Sequence, residues 1–307
     1  MDDAIENAVA FRKTLHAGQR PVRSVLSWEL RRLVASRSTL VIAACTQLFF
    51  VLILLFKHSW SSNVETARGG TSVVSETLFM PGSSPRGMLH EVIFVTLLLF
   101  GMFLPFVAAD GVARDFRQRV HELLMTTQIP SAAYVLGRYL ATMLLGLLLS
   151  LELLFAVYGV DVALHLSVHG YPMPVLSTLL YIWALAVVPA TVLVASLSFM
   201  LGTLWPKLAN IMKLAVLLGW IGIFIYGQSL TNSAWSTLYM RWDPTSYPMD
   251  VAWSIRVDPN APPSPAQLFR LPPLHAFVLP HIGLVLIGFS LATMAALGFR
   301  RFRDVVA

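Results

Sequence analysis

From Val175 to Leu204 the chain carries no Asp, Glu, Lys or Arg. At about 1.5 Å of rise per residue, a helix over that stretch exceeds the roughly 30 Å hydrocarbon core of a bilayer. A helix in water keeps one charged or polar face. This stretch has no charged face, so it is expected to be enclosed on all sides by protein or lipid. Five further runs share its character, at roughly 39–56, 89–109, 133–160, 209–228 and 274–299. Of the 307 residues, 56% are hydrophobic and only 12% are charged, a balance foreign to soluble proteins of this size. The expectation is an all-α membrane protein with six transmembrane helices, the fourth tilted or kinked at Pro189.

Lys and Arg set the orientation. The net charge of +6 is compatible with a nucleic-acid partner, but the bases flank apolar runs and form no aromatic-laced patch, so they read as a topology signal. With the amino terminus in the cytoplasm, sixteen of the 22 Lys and Arg fall inside and six outside, as the positive-inside rule requires. Both termini are then cytoplasmic, in a multi-pass protein of the cell membrane. Residues 1–38 are read as a cytoplasmic N-terminus and an interfacial helix, 39–299 as the six-span domain, and 300–307, with Arg300, Arg301 and Arg303, as a cytoplasmic tail.

No early apolar core of signal-peptide type is present in residues 1–20. After Pro21, Val22, Val25, Leu26, Leu30, Leu33 and Val34 share one helical face and the arginines lie mostly elsewhere, the pattern of a helix in the headgroup plane. Residues 57–87 form a polar outer loop. Span three leads to a short loop with Asp161, His165 and His169. The 229–273 loop holds eight prolines and three tryptophans, too much proline for one helix and too many aromatics for a disordered linker. It reads as a folded extracytoplasmic cap between spans five and six.

Between spans two and three, Val112, Phe116, Val120, Leu123 and Leu124 recur at spacings of three and four, with Arg114, Asp115, Arg117, Gln118 and Arg119 between them. This is an amphipathic helix, ended by Pro130, which lacks an amide hydrogen, and Ser131 is placed to cap the next helix. Two readings fit it. Phe116, Val120, Leu123 and Leu124 enter a groove on a partner while Arg117, Arg119 and Glu122 pair at its rim, or the helix rests on the inner leaflet with its arginines on lipid phosphates.

The string from His121 and Glu122 through Leu123, Leu124, Met125, Thr126, Thr127, Gln128 and Ile129 to Pro130, followed by Leu136, Gly137 and Arg138, resembles the "ELLLTxP…GK" segment of ABC type-2 exporter permeases. The Gly-Thr pair that commonly precedes Glu-Leu is here Val120 and His121, and Gly-Lys is Gly137 and Arg138. The helix and the positive charge are kept. The resemblance implies a coupling helix, including Phe116, Arg117, Val120, His121, Glu122, Leu123 and Leu124, that docks on a separate ABC ATPase. It also implies a "connecting helix" at residues 22–37 and a pair of permease copies, identical or related, with two copies of the ATPase. In that family spans two and five line the path. Here this gives Phe94, Leu98, Met102, Phe103 and Phe106 on span two, and Met212, Val216, Trp220 and Phe224 on span five, although packing or lipid contact is the preferred reading of each residue taken singly. Such a lining suits an apolar or amphipathic substrate.

The chain has no Gly-x-x-x-x-Gly-Lys-Ser/Thr segment, so it does not cradle nucleotide phosphates in the P-loop manner. ATP and magnesium are therefore expected on the partner ATPase, with no cofactor or metal on this chain and no catalysis by it alone. His121-Glu122 is no zinc motif, because position 125 is Met, and there is no Gly-x-Ser-x-Gly elbow. The lone Cys45 excludes an intrachain disulfide. Glu152 is an acid inside span three, where a bare charge costs several kcal/mol. It reads as an ion or substrate site of a gradient-driven carrier, or as hydrogen-bonded structural glue, the second preferred for want of a partner. A non-transporting membrane scaffold is the remaining alternative.

Overall fold

A computed structural model describes residues 21–37, 39–41, 43–49, 51–52, 55, 97–109, 112, 129–167, 173–230, 241–245 and 275–306. Among the described residues the architecture is helical, with no strand. Helix α1 covers 21–34, and a shorter apolar helix α2 covers Thr39–Phe49. Helix α3 is Leu97–Ala108, α4 is Ser131–Ser167, α5 is Leu176–Leu204, α6 is Ala209–Leu230 and α7 is His275–Val306. Four stretches are long and apolar enough to cross a membrane: Ser131–Ser167, Leu176–Leu204, Pro206–Ile223 and Phe277–Phe299. They coincide with the expected spans three to six. The outer loop at 57–87 and most of the 229–273 cap lie outside the described residues.

One boundary differs from the sequence reading. Span three does not give way to a loop at Asp161. The helix runs on to Ser167 and carries Asp161, which is fully buried, and His165. A charged residue marks a membrane boundary only when it faces water, and Asp161 faces protein. The last helix continues through the three arginines to Val306, while its membrane-crossing stretch ends at Phe299, where span six was expected to end.

The uncharged helix α5 is central, packing against α3, α4, α6 and α7. Its irregular turn has a covalent cause. Pro189 has no amide hydrogen to give Leu185, and its ring would meet that carbonyl. The chain answers with a π-helical turn, Trp183–Val187, after which the amide of Val188 bonds the carbonyl of Trp183. A single π-turn of this kind displaces every later residue around the axis. Trp183 itself donates through Nε1 to Ser150 Oγ on α4 at 3.1 Å.

Helices in lipid gain little from apolar transfer, so close packing and hydrogen bonds hold them together. One apolar core joins α3, α4, α5 and α6 through Leu104, Leu154, Val157, Leu185, Val216 and Trp220. A second joins α1, α4, α5 and α7 through Val25, Val112, Tyr134, Tyr139, Phe199 and Phe299. Ser196 Oγ donates to Val192 O at 2.6 Å, so Tyr139 gives its hydroxyl proton to Ser196 at 2.9 Å. That bond satisfies the one polar atom of a ring packed edge-on to Phe199.

Within the expected cap, residues 241–245 are described. Trp242 lies where a side chain on Gly283 of α7 would stand. Asp243 is fully buried and accepts from the amide of Thr245 at 2.9 Å and from its hydroxyl at 2.8 Å. Burial pushes its carboxyl up to about 6, although both Thr245 bonds pull the other way. The folded state thus holds a proton that the unfolded chain has lost, between the ordinary value of 3.8 and about 6. Stability falls as pH rises across that window and is level above it. We expect Asp243→Asn to abolish this dependence. Tryptophan fluorescence during detergent unfolding at pH 4.5 and 7 checks it, the wild type being the more stable at the lower pH by about 2 kcal/mol at most.

Candidate functional site

The described helices bring the sequence features together at one end of the bundle. The second apolar core there includes Val112 and is flanked by Ile129. These two residues bracket the amphipathic segment 113–128. Phe116, Arg117, Val120, His121, Glu122, Leu123 and Leu124 lie outside the described residues. Their roots do not, because the chain enters and leaves that segment from a single packed cluster.

Helix α1 closes the cluster. Val25 is buried, and a side chain on Gly137 would sit 2.8 Å from its Cβ, so α1 and α4 cross with almost no space between them. One turn along, Glu29 and Arg138 are each about 1% exposed, with Arg138 Nη2 3.6 Å from Glu29 Oε2. Arg32 donates to the other oxygen of Glu29. The Arg138 guanidinium stands 4.9 Å from the Tyr134 ring centre and 5.9 Å from that of Trp28, while Arg32 lies 5.4 Å from Trp28. Rings at these distances attract a cation and exclude water from it. Glu29 and Arg138 thus form a dry, oppositely charged centre between two helices.

The sequence reading placed Arg138 in a motif and counted it as a cytoplasmic charge, but it passed over Glu29. The signal was present. Val22, Val25, Glu29 and Leu33 follow one another at spacings of three and four, so the acid occupies the apolar stripe of α1. An acid in that register needs a buried cation opposite. Val34, assigned to the apolar face, is 48% exposed.

The residues expected along the path are divided. Val216 and Trp220 on α6 are buried in the first core, and Gly101 on α3 leaves the space that the Trp220 indole occupies. Phe103 and Phe106 on α3 are 40% and 45% exposed, and Met212 is partly exposed. Lys213, counted among the sixteen cytoplasmic bases, is buried, with its ammonium 6.0 Å from the Phe106 ring centre. Phe94 lies outside the described residues, as do the side chains of Leu98, Met102 and Phe224. Glu152 is mid-helix on α4 and partly exposed. No group of acids, histidines and cysteine able to hold a metal occurs among the described residues.

Residues 62–297 match the sequence profile of the family described as ABC-2 family transporter protein. The chain belongs to this family. A search of curated proteins gives no match. The ABC-2 family comprises transporter permeases, transmembrane subunits that are generally not catalytic themselves and work with an ABC ATPase. The apolar helices α4 to α7 fit that membership, and the permease is embedded in a membrane. The 113–128 segment and the α3–α6 seam both fall within the matched region, and α1 with Glu29 lies outside it.

Proposed function

We propose that this permease is the membrane subunit of an ATP-driven exporter that carries an apolar or amphipathic substrate (a drug, an antibiotic peptide or a lipid) out of the cytoplasm or inner leaflet. Two permease copies, identical or related, work with two copies of a separate ATPase, which holds the ATP and magnesium. The 113–128 segment is the coupling helix and faces the cytoplasm with both termini. When the ATPase pair closes, the segment is pushed, and spans two and five pass from an inward to an outward arrangement. The observation that carries this reading is that Val112 and Ile129 root both ends of that segment in one core shared by α1, α4, α5 and α7. Force on the segment therefore reaches the bundle at a single rigid point. The exposed Phe103 and Phe106 beside the α3–α6 seam support an apolar or amphipathic substrate.

A second reading takes Glu152, a carboxyl within a span, as the site of a gradient-driven carrier. Purification of the wild-type permease in detergent separates the two. The exporter reading expects a P-loop ATPase from the same cell to accompany it at about one copy per permease. A permease that carries none and drives ion-dependent flux lost in Glu152→Gln contradicts that reading.

A further inference from the structure

We propose that Glu29 and Arg138 are positioning residues for ATP-driven transport, tying α1 to the first turns of α4 so that a push on the 113–128 segment moves both helices as one body. The inference rests on that segment being the ATPase docking site.

Pro130 is the weak joint in the path. The chain there is irregular, and α4 begins only at Ser131. A segment hinged at a proline would swing without moving the helix beyond it, unless a second attachment spans the joint. Arg138 lies eight residues past the proline, about 12 Å along the helix axis, and Glu29 meets it there from α1. The contact distance of 3.6 Å is longer than a hydrogen bond. The attraction is therefore Coulombic, decaying smoothly with distance where a hydrogen bond fails on slight misalignment. With both groups about 1% exposed and two aromatic rings beside the guanidinium, water does not screen it. A link of this kind survives the small shifts a transport cycle demands. Packing of Val25 on Gly137 fixes where the helices cross, and the ion pair resists their rotation about that point.

The test uses the purified permease–ATPase complex in lipid nanodiscs. Cys45→Ser removes the one native thiol, and spin labels are placed at Ser27 on α1 and Leu218 on α6, both exposed. Trapping with ADP and vanadate is expected to shift the interlabel distance on the order of 3 Å in the wild type. Glu29→Gln and Arg138→Gln are each expected to retain the ATPase but to lose at least about two thirds of that shift. The exchanged pair Glu29→Arg/Arg138→Glu and the conservative Arg138→Lys restore it. A merely structural role would reduce the yield of complex and leave the shift intact in what survives. Arg138→Lys keeps the test decisive if the glutamine variants fold poorly, because loss of the shift there contradicts a charge-based tie.

Single variants that keep the full shift overturn the inference and leave the exporter reading standing. Single variants that also lose the ATPase overturn it too, since the pair would then build the docking face. Failure of the exchanged pair to restore the shift shows that opposite charge is not what matters. A wild type that holds no ATPase, or shows no nucleotide-dependent shift, removes the exporter reading and the inference with it.

Discussion

Glu29→Met is expected to destabilise the folded permease by about 3–5 kcal/mol, the range for breaking one side of a buried ion pair. The carboxylate serves two arginines, so its loss leaves Arg138 in a dry site and Arg32 without its acceptor. Arg138→Met should cost less, because Glu29 keeps Arg32, whose side chain is 29% exposed and well hydrated. The double change Glu29→Met/Arg138→Met should recover most of the loss, since well-packed apolar replacements of a buried pair are often neutral or stabilising. Titration of sodium dodecyl sulfate into dodecyl maltoside micelles, followed by circular dichroism, gives the three values. Additive single and double effects would show that the two groups do not interact.

Gly202→Val is expected to have the second large effect. A Cβ at Gly202 would stand 2.5 Å from the carbonyl oxygen of Ala109 and 3.0 Å from its Cα. Those are backbone atoms, which cannot rotate aside as a side chain does. Helices α3 and α5 must separate, and overpacking of that kind costs about 1–3 kcal/mol, with a backbone clash at the upper end. Gly222 on α6 is the control, since nothing lies within 4 Å of its Cβ position. There Gly222→Ala should be neutral or stabilise by up to about 1 kcal/mol through helix propensity alone. The same titration compares them, and equal losses at both positions would contradict the α3–α5 crossing.

Much of this was legible from the amino acids. Uninterrupted apolar length located α4 to α7, because only a helix satisfies its own backbone in lipid. Pro189 announced the irregularity in α5, although periodicity could not say that it would be a π-turn. What escaped depended on partners distant in sequence. Asp161 looked like the end of a span because charge was taken as a proxy for water. Glu29 was passed over because helical register was read for apolar residues only. Gly137 and Arg138 stood out as a motif without a reason; the structure supplies one, close passage of Val25 and a charge for Glu29. Trp220 was left open between lining and packing; its contact with Gly101 needs both helices in view.

An ATPase is proposed to take hold of this permease at the 113–128 segment. The most direct measurement is the amount of ATPase that co-purifies with wild-type permease and with a Phe116→Asp/Leu123→Asp double variant, both in monodisperse form. The double variant is expected to keep its helical content and lose the ATPase at least about tenfold, because two carboxylates on the apolar face oppose burial in a partner's groove. A double variant that binds the ATPase as well as the wild type would contradict the account.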